Sequence, residues 1–518
     1  MMPKGVLQHE SRTLAVRGLA TVLLIAAAVA VSIATRWPFS RDAVTRELQT
    51  HLKGHLAIGQ FHQTWFPPGF VAANISVVSR QNGRPHAGNA TWIGVRDLSV
   101  RGSYKGLLTH ALSKATIAGL RLTMPPGGSA ELFVSGIRPR IRGIGELEID
   151  DSACIFDNLR VEAKQIILQD VAPDRTVQFR ASLLTNKPYG DFKGEGQAGP
   201  WRSGRPDETS IRGIFQYANV DLAGIGGLHG ILAAKGDFRG TLARIDVSGT
   251  LSVPRFRIDG SEHSVDLSAS YRASVDARDA DVDLTEVEAR LARTTVVAKG
   301  KIAGDEPATQ TGPQGKTAHL ELAVNNGRVE DLLNYFSAEK KASMTGAVTL
   351  HAFAEVPPGP HFLQKLRLAG DFGVGSAKFT NSSRQIPIND LAASAEARAL
   401  HVKESKDAED TQTAVSNLRG HVTVRNGLAR LTGVSFDFPG ASAAMAGTFQ
   451  LISKQVDIHG RLRTTGTLPD AASGVKKLIL QVATPFLKRK NATVAPFAIT
   501  GSSSNPKIGL DLSHKRNF

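Results

Sequence analysis

The feature that most constrains this chain is an alternation of apolar and polar residues, which recurs along most of its length. Successive side chains of a β-strand point to opposite faces, so a period of two predicts strands with one apolar and one solvated face. The clearest runs contain Val177, Phe179, Ala181 and Leu183; Ile245, Val247, Leu251 and Val253; Leu320, Leu322 and Val324; Val348, Leu350, Ala352 and Ala354; Leu366, Leu368, Phe372 and Val374; Val434, Phe436 and Phe438; Val456, Ile458 and Leu462; and Ile508, Leu510 and Leu512. Glycine, at 50 of 518 residues, interrupts several runs and indicates bends in the sheet.

A long sheet with one apolar face must cover that face. The predicted helices are too few and too short to do so. Two arrangements remain open: two sheets pack as sandwiches, or one curved sheet rolls into a groove that another molecule fills. The predicted fold is mainly β, with an N-terminal transmembrane helix, an elongated, curved antiparallel β-sheet groove and a few short amphipathic helices.

Residues 18–35 carry no charged side chain and predict a transmembrane anchor. As a helix they measure about 27 Å, enough to cross the apolar core of a bilayer. The anchor residues are Leu19, Val22, Leu23, Leu24, Ile25, Val29, Val31, Ile33 and the interfacial Trp37. A cleaved signal peptide is the alternative, since Ala28-Val29-Ala30 resembles a cleavage site. Only 17 residues precede the run, which places the bulk of the chain outside the cytoplasm.

Three segments show helical spacing instead. Residues 40–53 predict an amphipathic helix beside the membrane, with Ser40 as its N-cap. Residues 329–336 and 475–482 carry apolar stripes with the same spacing. The last stripe has basic neighbours that we interpret as contacts to lipid headgroups: Lys476, Lys477, Lys488, Arg489 and Lys490. Residues 304–316 and 403–412 are polar and predict loops.

The formal charge of +15 indicates an acidic partner. For an anchored protein outside the cytoplasm, anionic lipid headgroups are a closer partner than nucleic acid. The alternative is a solvated basic surface with no specific partner. Cys154 is the single cysteine, which excludes an internal disulfide framework. A buried, inert thiol is the predicted role for Cys154.

Several motifs resemble catalytic or ligand-binding sites, but each is incomplete in this sequence. Gly315-Lys316-Thr317 resembles the end of a phosphate-binding loop, but Gln310 stands where the loop needs glycine. Glu47, His51 and His55 have the spacing of metal ligands, yet a solvated helix face explains them better. Asp281 and Asp283 are interpreted as surface charge. We therefore predict that the protein is not an enzyme and that it has no cofactor and no metal site.

Several segments, taken in order, resemble the AsmA-like family. They are LKGHLAIGQFHQTWFPPGFVAANISVVS followed by GSYKGLL, then residues 221–258 and 368–380, and finally SNLRGHVTVRNGLARLTGVSFDFPGASAAMAGTFQL with FAITGSSSNPKIGLDL near the C-terminus. The last portion is similar to the AsmA-like C-terminal region. The resemblance covers most of the chain after the apolar run and rests on the order of motifs that are individually weak.

The resemblance implies a periplasmic protein of a Gram-negative bacterium, anchored in the inner membrane and associated with outer-membrane biogenesis. It also implies an apolar β-groove that binds or conducts phospholipid or another acyl lipid, with outer-membrane or envelope proteins as further partners. A non-catalytic structural or assembly factor of the cell envelope is the alternative function. We expect the groove to be lined by Val434, Phe436, Phe438, Val456 and Ile458.

The domain boundaries follow from these segments. We predict a short cytoplasmic N-terminus at 1–17, the anchor at 18–35, an AsmA-like N-terminal β region with its juxtamembrane helix at 36–125, a β-groove middle region at 126–400, a charged loop at 401–412 and an AsmA-like C-terminal β region with an amphipathic helix at 413–518.

Overall fold

The computed structural model describes residues 39–51, 55–78, 91–109, 111–124, 143–156, 159–186, 188–202, 205–261, 263–276, 281–304, 315–336, 344–379, 413–438, 441–464, 494–503 and 505–511. These residues contain four α-helices: α1 (Arg41–His51), α2 (Tyr104–Thr109), α3 (Val329–Phe336) and α4 (Phe362–Lys365). Two 3-10 turns span Pro206–Glu208 and Leu222–Ile225. The rest of the regular structure is β.

The strands of the described residues are β1 (His55–Thr64), β2 (Gly69–Val78), β3 (Thr91–Gly102), β4 (Ala111–Ala118), β5 (Arg121–Met124), β6 (Gly143–Phe156), β7 (Leu159–Val171), β8 (Val177–Asn186), β9 (Tyr189–Ala198), β10 (Ser210–Asp221), β11 (Leu228–His229), β12 (Ile231–Thr241), β13 (Arg244–Ile258), β14 (Val265–Asp276), β15 (Asp281–Leu291), β16 (Thr294–Gly304), β17 (Lys316–Arg328), β18 (Met344–Thr345), β19 (Ala347–Val356), β20 (Arg367–Phe379), β21 (Thr413–Arg425), β22 (Leu428–Phe438), β23 (Ala441–Gln450), β24 (Gln455–Thr464), β25 (Val494–Ser502) and β26 (Asn505–Leu510). The prediction of a mainly β chain is confirmed. The alternating runs lie in β8, β13, β17, β19, β20, β22, β24 and β26, with Leu366 just before β20 and Leu512 beyond the described residues.

The described strands other than β11 join one sheet, in which most neighbours in space are neighbours along the chain, and β11 pairs with β13. The short strands extend longer ones: β11 lies beside β13, in line with β12, and β18 lies beside β20, in line with β19. Glycines with positive φ, Gly230 and Gly346, stand at these two interruptions. The described strands therefore form one continuous sheet, not two sheets packed as separate sandwiches.

One part of the fold prediction is wrong, because the sheet is mixed and not purely antiparallel. Strands β4 and β5 share one position between β3 and β6, and both pair with β6 in parallel. Gly119, with φ +66°, separates β4 from β5, and its N–H donates to the Asp150 carbonyl across the break. Alternation reports which face a side chain occupies but not the direction of the neighbouring strand, so the sequence pattern did not distinguish the two pairings.

Helix α1 confirms the predicted amphipathic helix. The Ser40 hydroxyl accepts a hydrogen bond from the Ala43 N–H at 3.3 Å, as an N-cap does. Val44 and Leu48 are buried against the sheet. On the polar side, Arg41 donates to the Ile58 carbonyl at 2.7 Å, and Gln49 accepts from the Leu56 N–H. Helix α1 thus covers the edge of β1 with which no described strand pairs.

Helix α3 also confirms its prediction, and it covers part of the sheet. Its apolar residues Val329, Leu332 and Leu333 pack on a buried cluster that includes Val348 and Val434. The shorter α4 was not predicted, because four residues are too few to show a helical period. Its Leu363 is buried in a second cluster with residues of β21 and β22.

The sheet is coiled and not flat. Ile258, at the end of β13, packs in the same cluster as Leu363 of α4, although many strands separate these residues along the sheet. In agreement, a Cβ added at Gly227 would lie 2.8 Å from the backbone nitrogen of Phe362. The right-handed twist between neighbouring strands accumulates, and here it brings the end of β13 against the connection that precedes β20.

Candidate functional site

A single row of directly paired residues crosses the sheet from β1 to β26, through every strand except the short β5, β11 and β18. The row is Phe61, Ala72, Leu98, Ile117, Ile149, Ile166, Ala181, Gly194, Phe215, Gly236, Gly249, Tyr271, Val287, Ala298, Leu322, Ala352, Gly370, Val422, Leu431, Gly447, Ile458, Ile499 and Ile508. It contains no charged residue. Paired residues point to the same side of a sheet, so the row marks one continuous apolar face.

The opposite face of the sheet is charged. Cross-strand ion pairs lie on it, such as Lys299 with Glu321 at 3.1 Å and Arg367 with Glu355 at 2.6 Å. His351 adds a second contact to Glu321, and these hydrogen bonds, from His351 first and then Lys299, lower the pKa of that carboxyl. Each pair joins an exposed basic side chain to a partly exposed carboxylate at the surface, and such a pair contributes little to stability. These pairs show that one face of the sheet is charged, whereas the face that carries the row is apolar.

We call α1 and β1–β8 the N-terminal unit, and its part of the apolar face is sealed. Row residues Leu98, Ile117, Ile149 and Ile166 are at most 3 % exposed. They belong to one buried cluster that reaches from Phe39 to Leu183 and includes the apolar side of α1. In this unit, protein side chains fill the space in front of the sheet.

We call β10 and β12–β16 the open stretch, because its part of the apolar face is not sealed. Phe215, Tyr271, Val287 and Ala298 of the row all remain partly exposed. The buried apolar residues of these strands are confined to Val220, Val253, Ala269 and Ala273. The clusters that contain α3 and α4 reach these strands at Val296 of β16 and at Ile258, near the end of β13. Half-buried apolar side chains therefore face a volume that the described residues leave unfilled.

Aromatic rings mark the beginning of the open stretch. Phe192 of β9 stacks with Phe215 at 6.1 Å between ring centroids, and Phe238 lies 6.5 Å from Phe215. Phe179 of β8 completes the group by stacking with Phe238 at 6.3 Å. These rings present a large apolar area with few rotatable bonds, which suits binding of a flexible apolar ligand.

Two glycines form the floor between these rings and Tyr271. Gly236 and Gly249 pair directly, and a Cβ added at Gly236 would lie 2.9 Å from the Gly249 Cα. Side chains are thus excluded at the centre of the open stretch by the close approach of the two strands. Burial raises the pKa of the Tyr271 phenol, which is the direction expected for a group beside an apolar surface.

Beyond the open stretch, α3 seals the apolar face again. Asp331, 7 % exposed, accepts from the Arg293 N–H at 2.9 Å and from the Thr294 hydroxyl at 3.1 Å. Glu330 accepts from the Gly346 N–H at 3.2 Å. These bonds fix the beginning of α3 to the turn before β16 and to the break before β19, and its apolar side then covers the face of β17–β22.

The five residues expected to line a groove do share one face of the sheet. Val434 is only 1 % exposed and Phe436 packs with it beneath α3, whereas Val456 and Ile458 are partly exposed. Phe438 pairs with Ala441 in register with the other four, and its side chain lies outside the described atoms. Contact between any of these residues and a lipid stays a prediction.

The remaining predicted sites lie outside the described residues. They are the anchor of residues 18–35 with Trp37, the basic residues Lys476, Lys477, Lys488, Arg489 and Lys490, and the loop at 401–412. Among the described helices, none has the length and apolar character needed to cross a membrane.

Cys154 is buried, as predicted, at 4 % exposure. Burial raises its pKa to about 12, so the thiol is protonated at neutral pH. Asp281 differs from the simple surface charge that we predicted, since it pairs with Lys316 at 2.5 Å and Lys301 at 3.3 Å and is only 20 % exposed. The described histidines, cysteine and carboxylates form no group of three that would hold a metal ion.

The sequence interpretation missed the aromatic group of Phe192, Phe215 and Phe238. Each follows the same alternation as its neighbours, so pattern alone did not rank them above other apolar positions. What distinguishes these rings is that Phe215 pairs with Gly194 on one side and with Gly236 on the other. This pairing can be recognised only when the strand registers are known.

Comparisons with protein-family models, with curated proteins and with solved structures find no match for this chain. The resemblance to the AsmA-like family therefore rests on the sequence segments given above and stays a prediction.

Proposed function

We propose that this chain is a membrane-anchored periplasmic protein of the AsmA-like type that holds or conducts phospholipid in an apolar β-groove, in support of outer-membrane biogenesis. The groove is the apolar face of the coiled sheet, and its accessible part is the open stretch. The observation that carries the proposal is the uncharged row from Phe61 to Ile508, whose middle part stays half exposed.

An acyl chain fits this surface for a thermodynamic reason. Large contiguous apolar patches are uncommon on soluble proteins and mark sites where another molecule binds. Each methylene of a lipid that leaves water contributes about 0.8 kcal/mol, so a chain laid along the open stretch gains a substantial free energy. The phosphate must stay solvated, because burying an unpaired charge costs far more than this gain.

The distribution of charge supports the same arrangement. Charged side chains occupy the opposite face of the sheet, and the net charge is +15. Headgroups at the rim of the groove would meet a basic protein, and the predicted helix with Lys476 and Lys477 would add to this contact. The apolar run at 18–35 would hold one end of the groove at the inner membrane, which supplies the lipid.

Site-specific photocrosslinking in the full-length chain tests the proposal. A benzophenone amino acid replaces Leu251, which lies on the apolar face of β13, and in a matched variant it replaces the adjacent Thr250 on the opposite face. After illumination in the native membrane, mass spectrometry should find phospholipid adducts with the probe at 251 and not with the probe at 250.

Two outcomes would contradict the proposal. Adducts between the probe at 251 and another protein would favour the structural or assembly factor, in which the apolar face binds a protein partner. Equal lipid labelling at 251 and 250 would mean that lipid reaches the chain only as surrounding membrane. An unchanged thermal midpoint in both variants shows that the probe has not unfolded the sheet.

A further inference from the structure

The turn between β1 and β2 carries the most exposed aromatic side chain of the described residues, that of Phe66, next to an exposed tryptophan. Trp65 is 59 % exposed and Phe66 is 86 % exposed. Tyr104, at the start of α2, is 51 % exposed, and its ring lies 5.7 Å from that of Phe66. The Tyr104 hydroxyl donates to the Trp65 carbonyl at 2.8 Å. We call Trp65, Phe66 and Tyr104 the aromatic tip.

The base of the aromatic tip is firmly packed. The Gly102 N–H donates to the Pro68 carbonyl at 2.7 Å, which ties the turn to the end of β3. Phe70, which follows the turn, is completely buried and stacks on Phe61 at 5.2 Å. The exposure of the tip is therefore a property of a well-defined turn. Exposed rings on such a base indicate a surface that another phase or molecule covers.

The tip lies close to the place where the chain enters the N-terminal unit. Phe39, the first described residue, contacts Phe70 with ring centroids 5.7 Å apart. Thr35, the last residue of the apolar run, stands four positions before Phe39, a span of at most about 14 Å even when fully extended. Phe66 also stands four positions before Phe70, so the same maximum distance of about 14 Å applies between these two residues. An anchor formed by residues 18–35 thus holds the aromatic tip near the membrane.

The charge around the tip fits an anionic surface. Arg101 and Lys105 are exposed beside Tyr104. The segments 55–78 and 99–109, which contain the tip, β1, β2 and the end of β3, carry no aspartate or glutamate. Basic side chains next to exposed aromatic rings are the combination found where proteins meet lipid headgroups.

We infer that the aromatic tip inserts into the headgroup region of the membrane that holds the apolar run. Trp65 and Tyr104 lie at the level of the headgroups, Phe66 reaches further toward the acyl chains, and Arg101 and Lys105 meet the phosphates. This contact sets the N-terminal unit directly on the bilayer surface. The inference rests on the membrane anchoring that belongs to the proposed function.

Fluorescence quenching in the full chain tests the inference. The F66C variant is labelled with bimane and reconstituted into vesicles of phosphatidylethanolamine and phosphatidylglycerol that contain a doxyl-labelled lipid. The matched control is F353C, because Phe353 is similarly exposed, at 60 %, but lies on the charged face of β19. Cys154 is buried with a pKa of about 12 and takes up little label.

The expected result is several-fold stronger quenching of labelled F66C than of labelled F353C, with a further increase as the fraction of phosphatidylglycerol rises. Equal quenching of the two variants, in vesicles that carry the protein through flotation, would overturn the docking of the tip and leave the anchor and groove standing. A chain that does not float with the vesicles would overturn the anchoring and the docking together. Lipid crosslinking from position 251 reports on the groove separately.

Discussion

The N-terminal unit and the open stretch carry the same row of paired apolar residues, but the row is buried in the first region and partly exposed in the second. In β6 and β7 the row contains Ile149 and Ile166, which are at most 2 % exposed. In β12 and β13 the same positions are occupied by Gly236 and Gly249, with partly exposed rings on either side. The difference teaches that alternation makes an apolar face, and that side-chain volume and covering helices decide whether the face becomes a core.

Thiol chemistry should show the largest difference between the two regions. Cys154 in the N-terminal unit has a pKa of about 12, whereas an ordinary thiol has one near 8.5. At pH 8, in detergent that removes lipid, the L251C variant in a C154A background should react with a maleimide roughly a thousandfold faster than Cys154 of the native chain. Reaction rates followed by intact mass measure this ratio.

The S252C variant is the control for that measurement, because Ser252 is exposed on the opposite face of β13. Fast labelling of S252C together with slow labelling of L251C in the lipid-free chain would mean that the open stretch is in fact sealed.

Removal of an apolar side chain should lower the free energy of unfolding more in the N-terminal unit than in the open stretch. Leu147 is completely buried, so Leu147→Ala should lower the free energy of unfolding around β6 by about 2–5 kcal/mol. Leu251 is partly exposed, so Leu251→Ala should cost only about 1 kcal/mol around β13. Hydrogen-exchange mass spectrometry gives the opening free energy of each strand in the full chain. Equal costs would break the comparison, since they would mean equal packing in both regions.

Release of α3 should turn a sealed part of the face into an open one. Asp331→Ala removes the acceptor for the Arg293 N–H and the buried Thr294 hydroxyl, which should cost about 1–3 kcal/mol. The freed face of β17–β22 should then bind the dye ANS, measured as increased fluorescence. Asp331→Asn keeps one acceptor oxygen and should change both quantities less. Unchanged ANS fluorescence in Asp331→Ala would show that other contacts hold the helix.

Much of this fold follows from the sequence for simple physical reasons. Alternation identified strands that the structure contains, because a solvated face and an apolar face require it. The Ser40 cap and the apolar stripe of α1 identified that helix in the same way. Asn426-Gly427 illustrates a signal of the same kind: both residues have positive φ in the two-residue turn between β21 and β22, as a tight hairpin turn needs.

Other parts of the structure are not encoded in local pattern. The parallel pairing of β4 and β5 with β6 depends on how the chain returns, and no side-chain period records it. Helix α4 is too short for a period, although Leu363 is well buried. The predicted lining residue Val434 is covered by α3, which alternation within β22 does not reveal. The part of the apolar face that we propose as accessible to lipid is therefore the open stretch, and the role of the predicted lining residues stays a prediction.

The pairing of strands in chain order also has a kinetic consequence. Each new strand finds its partner in the strand made just before it, so the chain can lengthen the sheet by adding one edge at a time, as repeat proteins do. Contacts that are local along the chain form fast, whereas the parallel addition of β6 must wait for a longer loop to close.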